Sequence, residues 1–256
     1  DRVYLTGPAV AAVSAIAGVI TDPRELGNPP AITIPDEYLI DDSMIIPPAE
    51  RPVEDPTHRE AVEVIRGPNI KPLPKRGTLE EEITGVVLIK LGDNITTDDI
   101  MPAGAKILPL RSNIPAISEH IFEKIDPEFI KRAKDSGGGF ILGGVNYGQG
   151  SSREHAAIVP MYLGIKTVLA KSFARIHRNN LINFGIIPLI FAKEQDYDLI
   201  ERGDMITLPL IKKELSEGSL ITLNNLTKGK TLRMTNNFTE RERKILLTGG
   251  LLNLYK

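Results

Sequence analysis

The stretch Gly148-Gln149-Gly150-Ser151-Ser152-Arg153-Glu154-His155-Ala156-Ala157 is the segment from which the fold can be inferred. It follows an apolar run, Phe140-Ile141-Leu142, and leads into residues with helical spacing. The pattern predicts a strand, a tight glycine turn and a helix with two serines and an arginine in its first turn. Unpaired N–H groups at a helix start attract anions, and the planar guanidinium of Arg153 suits a carboxylate or phosphate. We therefore predict an anion site at this turn.

Two other interpretations of the same stretch need no anion. Ser151 with Glu154 has the spacing of a capping box, which starts many helices that bind no ligand. Ser152 and His155 would share a helix face, so a serine–histidine nucleophilic pair is a further alternative. The Gly-x-Ser-x-Gly pattern of a nucleophile elbow is absent, which argues against that pair.

Composition and charge exclude several classes of protein. The chain has 256 residues, of which 41% are hydrophobic and 25% charged, and its formal net charge is -2. This near-neutral balance speaks against a nucleic-acid partner and against binding to an anionic membrane surface. No apolar run reaches the length of a membrane span, and the first residues do not resemble a signal peptide. We therefore expect a cytoplasmic protein, and the missing initial methionine indicates a piece of a longer chain.

The absence of cysteine limits the chemistry further. It removes disulfides, thiolate catalysis and any metal or cluster bound by thiolates of this chain. The histidines lie far apart in the sequence, at His58, His120, His155 and His177. No metal-ligand spacing joins them, so we predict no metal site in this chain.

The chain divides into three parts by pattern. Residues 8–20 are almost wholly apolar and predict a buried helix. Many prolines follow with little periodicity, which is typical of a stiff, extended connector. We therefore predict a helical tail over 1–45, a proline-rich linker over 46–80 and a main domain over 81–256.

Within the main domain, strand-like and helix-like segments alternate. Strands are predicted at 86–89, 140–142, 166–170, 186–191, 205–208, 220–223 and 231–234. Helices are predicted at 117–124, 127–134, 151–163, 173–184 and 239–252. This alternation predicts an α/β fold with at least some parallel strand pairing.

Two further segments carry charged or hydroxyl groups. Residues 92–100 hold three carboxylates and two hydroxyls, which indicates either a solvated capping turn or a metal pair of Asp98 and Asp99. Arg111 follows an apolar run and is either a surface arginine or a second carboxylate clamp. In the segment 171–180, Ser172 is a candidate N-cap, and the basic residues that follow form either a rim or pairs with neighbours.

These segments, in this order, resemble the C-terminal swivelling domain of the aconitase superfamily. The resemblance is carried by residues 147–156, by 171–176, and by Thr96-Thr97-Asp98 with the downstream Arg111. It implies a three-layer β/β/α swivel domain. Residues 3–24 resemble the end of the family's cluster-bearing region, so that the tail over 1–45 would belong to that preceding domain. This likeness favours a single-chain aconitase over the stand-alone small subunit of an isopropylmalate isomerase.

The resemblance also implies a role for each site residue. Ser151 would be the general base that removes the proton next to a substrate carboxylate, and Asp98 would orient the site. Arg111 and Arg153 would bind the substrate carboxylates, and Ser152 would donate a hydrogen bond to the same ligand. The implied protein is the C-terminal part of an aconitate hydratase, a lyase of the tricarboxylic acid cycle that converts citrate to isocitrate through cis-aconitate. A serine alkoxide needs positive surroundings, which a helix start and Arg153 would supply.

Two departures from the family pattern stand out. Asp99 lies where many aconitases have histidine, which would retune the site or mark a different subgroup. The family's [4Fe-4S] cluster is bound by cysteines, which this chain lacks. We therefore expect the partner to be the cluster-bearing N-terminal domains and the chain to be inactive alone. The alternatives are a homoaconitase, a 3-isopropylmalate dehydratase-type isomerase, or a non-enzymatic RNA-binding derivative of the fold.

Overall fold

The computed structural model describes residues 3–29, 31–46 and 65–255, and the chain divides into two compact units, Asp1–Val62 and Glu63–Lys256. Most of the linker predicted over 46–80 lies outside the described residues. The first unit contains the helix α1, Pro8–Ala17, and a 3-10 helix, Pro23–Leu26. The predicted helix is present, but none of its residues is buried. An apolar sequence determines that a helix forms, whereas burial also requires a packed neighbour.

The second unit is built on strands that close into a barrel. The strands in the described part of this unit are β1, Ile83–Lys90; β2, Gly139–Gly143; β3, Ile165–Ala170; β4, Ile187–Phe191; β5, Met205–Leu208; β6, Leu220–Asn225; and β7, Lys230–Thr235. Their order around the barrel is β1-β2-β3-β4-β7-β6-β5. The pairs from β1 to β4 are parallel, and the remaining pairs are antiparallel.

Helices connect and cover these strands. They are α2, Thr97–Ile100; α3, Ile114–Ile117; α4, Phe129–Ser136; α5, His155–Tyr162; α6, Arg175–Asn183; α7, Ile211–Glu217; α8, Glu240–Leu247; and α9, Leu251–Leu254. Short 3-10 helices lie at Leu108–Leu110, Ser118–His120 and Glu194–Leu199. The predicted helix over 239–252 is split into α8 and α9 by Gly249 and Gly250, both of which have positive φ. Helix α7 was not predicted from the sequence. No described helix has the length and apolarity that a membrane crossing requires.

The α/β class is confirmed, but the sheet differs from the expected three-layer arrangement. Because β1 pairs with both β2 and β5, the strands form one closed barrel instead of separate layers. Side chains alternate between its two faces. In β2, Phe140 and Leu142 belong to one hydrophobic cluster, whereas Ile141 on the opposite face belongs to the other. The two hydrophobic clusters therefore share the barrel wall.

Candidate functional site

The loops that follow β1, β2 and β3 meet at one end of the barrel. Because these strands are parallel, their carboxyl ends lie side by side, which is where α/β sheets place their ligand sites. The amide of Gly144 donates to the carbonyl of Gly92 at 3.1 Å, and the amide of Lys171 donates to the carbonyl of Gly144 at 3.2 Å. Backbone hydrogen bonds therefore join the three loops directly.

The loop between β2 and α5 carries Ser151 and is called the serine loop below. The loop after β1 is hydrogen-bonded to one side of it. The carbonyl of Ile95 accepts hydrogen bonds from the amides of Gly148, at 2.8 Å, and Gln149, at 3.1 Å. The amide of Thr97 donates to the carbonyl of Gln149 at 2.8 Å. The hydroxyl of Thr97 donates to the carbonyl of Ser151 at 3.1 Å. The path of the chain into Ser151 is thus set by the Thr-Thr-Asp segment.

The loop after β3 holds the other side. The amide of Tyr147 donates to the carbonyl of Ser172 at 3.0 Å, and the amide of Ala174 donates to the carbonyl of Tyr147 at 2.9 Å. The hydroxyl oxygen of Ser172 accepts from the amide of Asn146 at 2.8 Å. The prediction that Ser172 caps α6 is therefore wrong. Ala174 occupies the N-cap position without a side-chain hydrogen bond, and the hydroxyl of Ser172 binds the serine loop instead.

Helix α5 begins later than the opening stretch predicted. Its N-cap is Glu154, with no side-chain cap hydrogen bond, so the capping box predicted for Ser151 and Glu154 is wrong. The two glycines before Ser151 have φ of +83° and +106°, which turn the chain away from a helical path. The two serines and Arg153 therefore lie in the turn before α5 rather than in its first turn. The helix end contributes less to the potential at Ser151 than the sequence predicted, because this effect falls off within about one turn.

Two of the predicted site residues, Arg153 and Asp98, are paired in the structure. Nη1 of Arg153 lies 2.5 Å from Oδ1 of Asp98 and donates to the carbonyl of Met101 at 3.0 Å. The side chain of Arg153 is 18% exposed, whereas that of Asp98 is 55% exposed. The guanidinium of Arg153 is thus held by the carbonyl of Met101, while the carboxylate of Asp98 faces solvent. A carboxylate that arrives from solvent can bind the guanidinium of Arg153 together with Asp98, or it can take the place of Asp98.

Arg111 reaches the same region through its backbone. Nε2 of His155 lies 2.9 Å from the carbonyl oxygen of Arg111, and this nitrogen must carry a proton because a carbonyl only accepts. The side chain of Arg111 is exposed and lines an open cavity of about 520 Å³ together with Asn69 and Leu108. Across residues 65–255, the hydrogen bonds bring the backbone of Arg111 to α5 but do not join its guanidinium to Arg153.

Both predicted serines are exposed at the surface of this site. Within the described ranges, no hydrogen bond engages the hydroxyl of Ser151, whose carbonyl instead accepts from Thr97. The serine–histidine alternative is not supported, because Nε2 of His155 binds the carbonyl of Arg111 rather than the hydroxyl of Ser152. The hydroxyl of Ser151 is therefore placed to meet a group that comes from solvent.

Asp99 has a structural role in the turn after β1. Its Oδ2 accepts from the amide of Thr96 at 2.9 Å and from the hydroxyl of Thr96 at 2.6 Å. The amide of Asp99 donates back to that hydroxyl oxygen at 3.0 Å, which completes a capping box at the start of α2. The capping interpretation of this turn is thus confirmed for Asp99. Asp99 therefore shapes the turn that presents Asp98.

The basic segment of α6 does not form a rim. Arg178 pairs with Glu242 of α8 at 2.5 Å. His177 is only 1% exposed, and its ring lies against Gly148, where an added Cβ would overlap it. Burial lowers the pKa of His177 to about 4, so this imidazole is neutral at physiological pH. Of these basic residues, Arg175 alone remains exposed.

Sequence reasoning missed the residues that act through their backbone. The carbonyls of Ile95 and Met101 position the serine loop and Arg153, respectively. A carbonyl contact leaves no trace in the side-chain pattern, so no signal could have identified these residues. Thr97 was identifiable, since it lies within the Thr-Thr-Asp run that the sequence singled out.

The structure offers no ligands for the cluster that the resemblance implies. Within residues 3–29, 31–46 and 65–255, no group of acidic or histidine side chains is arranged to hold a metal ion. The full sequence contains no cysteine. Since iron–sulfur clusters are held mainly by thiolates, the residues of this chain do not fit the group.

Comparisons with known proteins identify relatives of the second unit. A family model described as the aconitase C-terminal domain matches residues 125–194. The chain is 40% identical over 167 residues to a 3-isopropylmalate dehydratase small subunit of Archaeoglobus fulgidus, covering 65% of this chain and 91% of the relative. It is 41% identical over 170 residues to a homoaconitase small subunit of Methanocaldococcus jannaschii, covering 65% of this chain and 88% of the relative.

A solved structure shows the same likeness. The crystal structure of a 3-isopropylmalate dehydratase from Methanocaldococcus jannaschii superposes with a TM-score of 0.56 at 35% sequence identity. The superposition covers 68% of this chain and 93% of the solved chain. The mixed α/β fold is therefore shared with a protein of this group.

These relatives correct the function inferred from sequence. The prediction of a single-chain aconitate hydratase that acts on citrate is wrong, because the relatives are small subunits of 3-isopropylmalate dehydratase and homoaconitase. The alternative, an isomerase of the homoaconitase or 3-isopropylmalate dehydratase kind, agrees better with them. The single-chain prediction rested on residues 3–24, whereas these relatives match over 165 to 170 residues.

Proposed function

Because the chain belongs to the aconitase C-terminal domain family, we propose that it is the small-subunit part of a dehydratase that isomerises a hydroxy acid. The proposed substrate class is that of 3-isopropylmalate dehydratase and homoaconitase, namely acids with two or more carboxylates and a hydroxyl. The observation that carries this proposal is the pairing of Arg153 with Asp98, together with the exposure of Ser151, which lies two residues before Arg153 in the chain. This pairing supports the proposal because a guanidinium suits a carboxylate and because the loops after parallel strands commonly bind ligands.

The proposed reaction needs two kinds of group from this chain. Dehydration removes a proton from the carbon next to a carboxylate and a hydroxyl from the neighbouring carbon, which leaves a carbon–carbon double bond. Rehydration adds water across this double bond, so that the hydroxyl now lies on the carbon that had lost the proton. A base must therefore accept the proton, and cations must hold the carboxylates while the double bond forms.

We assign the role of base to Ser151. Its hydroxyl is exposed, and its backbone is fixed by the hydroxyl of Thr97. A serine alkoxide requires positive potential, and Arg153 is the nearest arginine along the chain. In the structure Asp98 neutralises part of that charge, and a substrate carboxylate in its place would do the same.

Arg153 and Arg111 are the proposed carboxylate clamps, and Ser152 is a proposed hydrogen-bond donor. Arg153 is held by the carbonyl of Met101, so its position does not depend on Asp98 alone. Arg111 is exposed beside an open cavity of about 520 Å³. Two guanidinium groups on separate loops suit a substrate with carboxylates at both ends. Asp98 is proposed to keep Arg153 in place before the substrate binds.

The family's iron–sulfur chemistry is proposed to come from another protein. When bound there, the cluster would supply a Lewis acid for the departing hydroxyl. This chain has no cysteine, and it is therefore proposed to be inactive until it is joined with a cluster-bearing partner. We propose that the end of the barrel that carries Ser151 forms the interface with the cluster-bearing partner.

The test replaces the candidate base in the assembled enzyme. We expect Ser151→Ala to lower kcat roughly 10²- to 10⁴-fold with little change in KM, because it removes proton transfer and not substrate binding. Steady-state kinetics with 3-isopropylmalate and homoaconitate, followed by the absorbance of the unsaturated acid, would measure both constants.

A matched control is Ser216→Ala, which removes a serine hydroxyl that donates to the carbonyl of Lys212 in α7. This variant is expected to keep wild-type kinetics. If Ser151→Ala retains the wild-type kcat, Ser151 is not the base. If the assembled protein converts neither acid, the proposed substrate class is wrong.

A further inference from the structure

The loop that carries Arg111 is a short turn whose own backbone hydrogen bonds include those from the amides of Leu110 to Ile107, at 2.9 Å, and of Asn113 to Leu110, at 2.7 Å. None of the residues of its 3-10 helix, Leu108–Leu110, is buried, and the amide of Arg111 donates to the carbonyl of Leu108 at 3.2 Å. On one side the loop is held by Nε2 of His155, which donates to the carbonyl of Arg111 at 2.9 Å. An exposed arginine binds a ligand at a defined point only if its backbone is held well enough to present it there.

A second support comes from residues that precede the barrel. Nδ2 of Asn69 donates to the carbonyl of Pro109 at 2.5 Å, and Oδ1 of Asn69 accepts from Nδ2 of Asn113 at 3.2 Å. The carbonyl of Pro109 can only accept a hydrogen bond, so the amide nitrogen of Asn69 must face it. The side chain of Asn69 therefore bridges the two ends of the loop that contains Arg111.

The backbone next to Asn69 adds to this bridge. The amide of Lys71 donates to the carbonyl of Ser112 at 2.9 Å, and the amide of Ile70 donates to the carbonyl of Gly67 at 3.0 Å. The second bond forms a turn with Asn69 inside it. The Asn69–Pro109 bond and the Lys71–Ser112 bond therefore contact the loop before and after Arg111 without using its guanidinium, and Arg111 is exposed beside the cavity.

Asn113 transmits the bridge to a helix. Its Oδ1 accepts from the amide of Ala116 at 3.2 Å, which caps α3. Helix α3 carries buried Ile114 and Ile117, so its start is fixed by the core beneath it. Asn69 thus joins the exposed carbonyl of Pro109 to a residue whose own position is determined by packing.

We propose that Asn69 is a positioning residue for Arg111. It holds the loop over residues 109–113 so that the guanidinium of Arg111 meets a substrate carboxylate at a defined place. This inference rests on the proposed function, because it requires Arg111 to bind substrate. Asn69 lies outside the residues that match the family model, 125–194.

The test compares variants of Asn69 in the assembled enzyme. Asn69→Ala removes both side-chain hydrogen bonds, and Asn69→Asp keeps the acceptor but loses the donor to Pro109. We expect Asn69→Ala to raise KM roughly three- to tenfold with kcat within about twofold, the size that one or two lost hydrogen bonds imply. We expect Asn69→Asp to have an intermediate effect. Asn224→Ala is the matched control, because it removes an asparagine that accepts from the hydroxyl of Thr231 in the β6–β7 hairpin.

A readout independent of catalysis tests the bridge itself. Amide hydrogen exchange should become faster at residues 111 and 113 in Asn69→Ala, while the amides of β2 and β3 keep the wild-type rate. Unchanged exchange in the loop would overturn the inference, since the loop would then not depend on Asn69.

A double-mutant cycle separates this inference from the proposed function. If Asn69 acts through Arg111, adding Asn69→Ala to Arg111→Gln should raise KM no further than Arg111→Gln does alone. Additive effects, or a wild-type KM in Asn69→Ala while Arg111→Gln raises KM, would overturn the positioning role. If Arg111→Gln itself keeps the wild-type KM, the assignment of Arg111 under the proposed function is wrong, and the positioning role is overturned with it.

Discussion

Gly148 is a residue for which the structure leaves no room for a side chain. Its φ is +83°, and a Cβ at this position would overlap the imidazole of His177. The carbonyl of Ile95 holds its amide at 2.8 Å, so the backbone has little freedom to move away. Gly148 thus allows the serine loop to pack directly against a buried side chain, and this contact sets the distance between the loop and α6.

We expect Gly148→Ala to destabilise the fold by about 2–5 kcal/mol, the combined effect of a strained φ and an overpacked contact. Gly203→Ala is a matched control, because Gly203 has φ of +93° but nothing lies within 4 Å of its added Cβ. That variant should lose only about 1–2 kcal/mol. Urea denaturation of both would measure the difference, and equal losses would show that His177 does not confine the loop.

His177 makes stability depend on pH in a defined window. Its ring centroid lies 5.4 Å from that of Tyr147, a residue whose pKa is raised by burial. Burial lowers the pKa of His177 to about 4, whereas an unfolded histidine has a pKa near 6.5. Between these values the unfolded state binds more protons, so stability falls as pH drops from about 6.5 to about 4.

We expect the contribution of His177 to this loss to be roughly 3 kcal/mol, and His177→Leu should flatten the dependence of the unfolding free energy on pH in that window. Burial alone would raise the pKa of Asp204, but its hydrogen bonds outweigh burial and lower it. The contribution of Asp204 to stability is therefore lost only as pH falls below the ordinary pKa of an aspartate, at and below the lower limit of the pH range in which His177 acts. Denaturant titrations at several pH values would measure the slope. Parallel curves for the wild type and the variant would contradict the assignment.

At the scale of elements, α2 shows how a short helix presents a functional group. Its capping box joins Thr96 and Asp99, while Asp98 between them points its carboxylate to Arg153. Buried Thr97 and Ile100 anchor the other face. The position of Asp98 therefore depends on a helix too short to be stable without its cap and its packing.

We expect Asp99→Ala to lower the free energy of unfolding by about 0.5–2 kcal/mol, because it opens the capping box. Asp99→Asn keeps a side-chain oxygen for the amide of Thr96 and should lose less. Chemical denaturation would rank the variants, and faster hydrogen exchange at the amides of 99–101 would locate the change. Equal losses in the two variants would mean that charge, which both remove, and not the cap is the contribution of Asp99.

At the scale of the whole molecule, residues that precede the first strand are hydrogen-bonded to the barrel unit. Nη1 of Arg76 donates to the carbonyls of Ile165, at 3.1 Å, and Gly185, at 3.0 Å, and its own carbonyl accepts from Nδ2 of Asn253 at 2.7 Å. The amide of Leu79 donates to the carbonyl of Leu247 at 3.0 Å. Burial lowers the pKa of Arg76 to about 10, so it stays charged at neutral pH.

We expect a chain that begins at residue 65 to unfold cooperatively, because both hydrophobic clusters lie within 79–254. A chain that begins at residue 80 should be less stable by at least roughly 3–4 kcal/mol, since it loses the hydrogen bonds of Arg76 and Leu79 and also the buried side chain of Leu79. Thermal and urea unfolding of the two chains would test this. Equal midpoints would show that the segment before the barrel contributes nothing to its stability.

The strands were the part of the fold most accessible from sequence. Each predicted strand is present within a few residues, because an apolar run bounded by glycine and asparagine has few other structures available to it. The parallel pairing followed from the alternation with helices. Closure of the barrel did not, because it depends on β1 pairing with β5, and no local pattern encodes a partner so distant in the chain.

By itself, the sequence determined the α/β class, because periodicity is a local property. The resemblance of three motifs to the aconitase superfamily, and not periodicity, supplied the candidates Asp98, Arg111, Ser151, Ser152 and Arg153. Only the tertiary structure decided where α5 begins, that Arg153 binds Asp98 and Met101, and that His177 lies beneath the serine loop. Those outcomes depend on carbonyl positions and on the packing of loops from different strands, which exist only once the chain has folded.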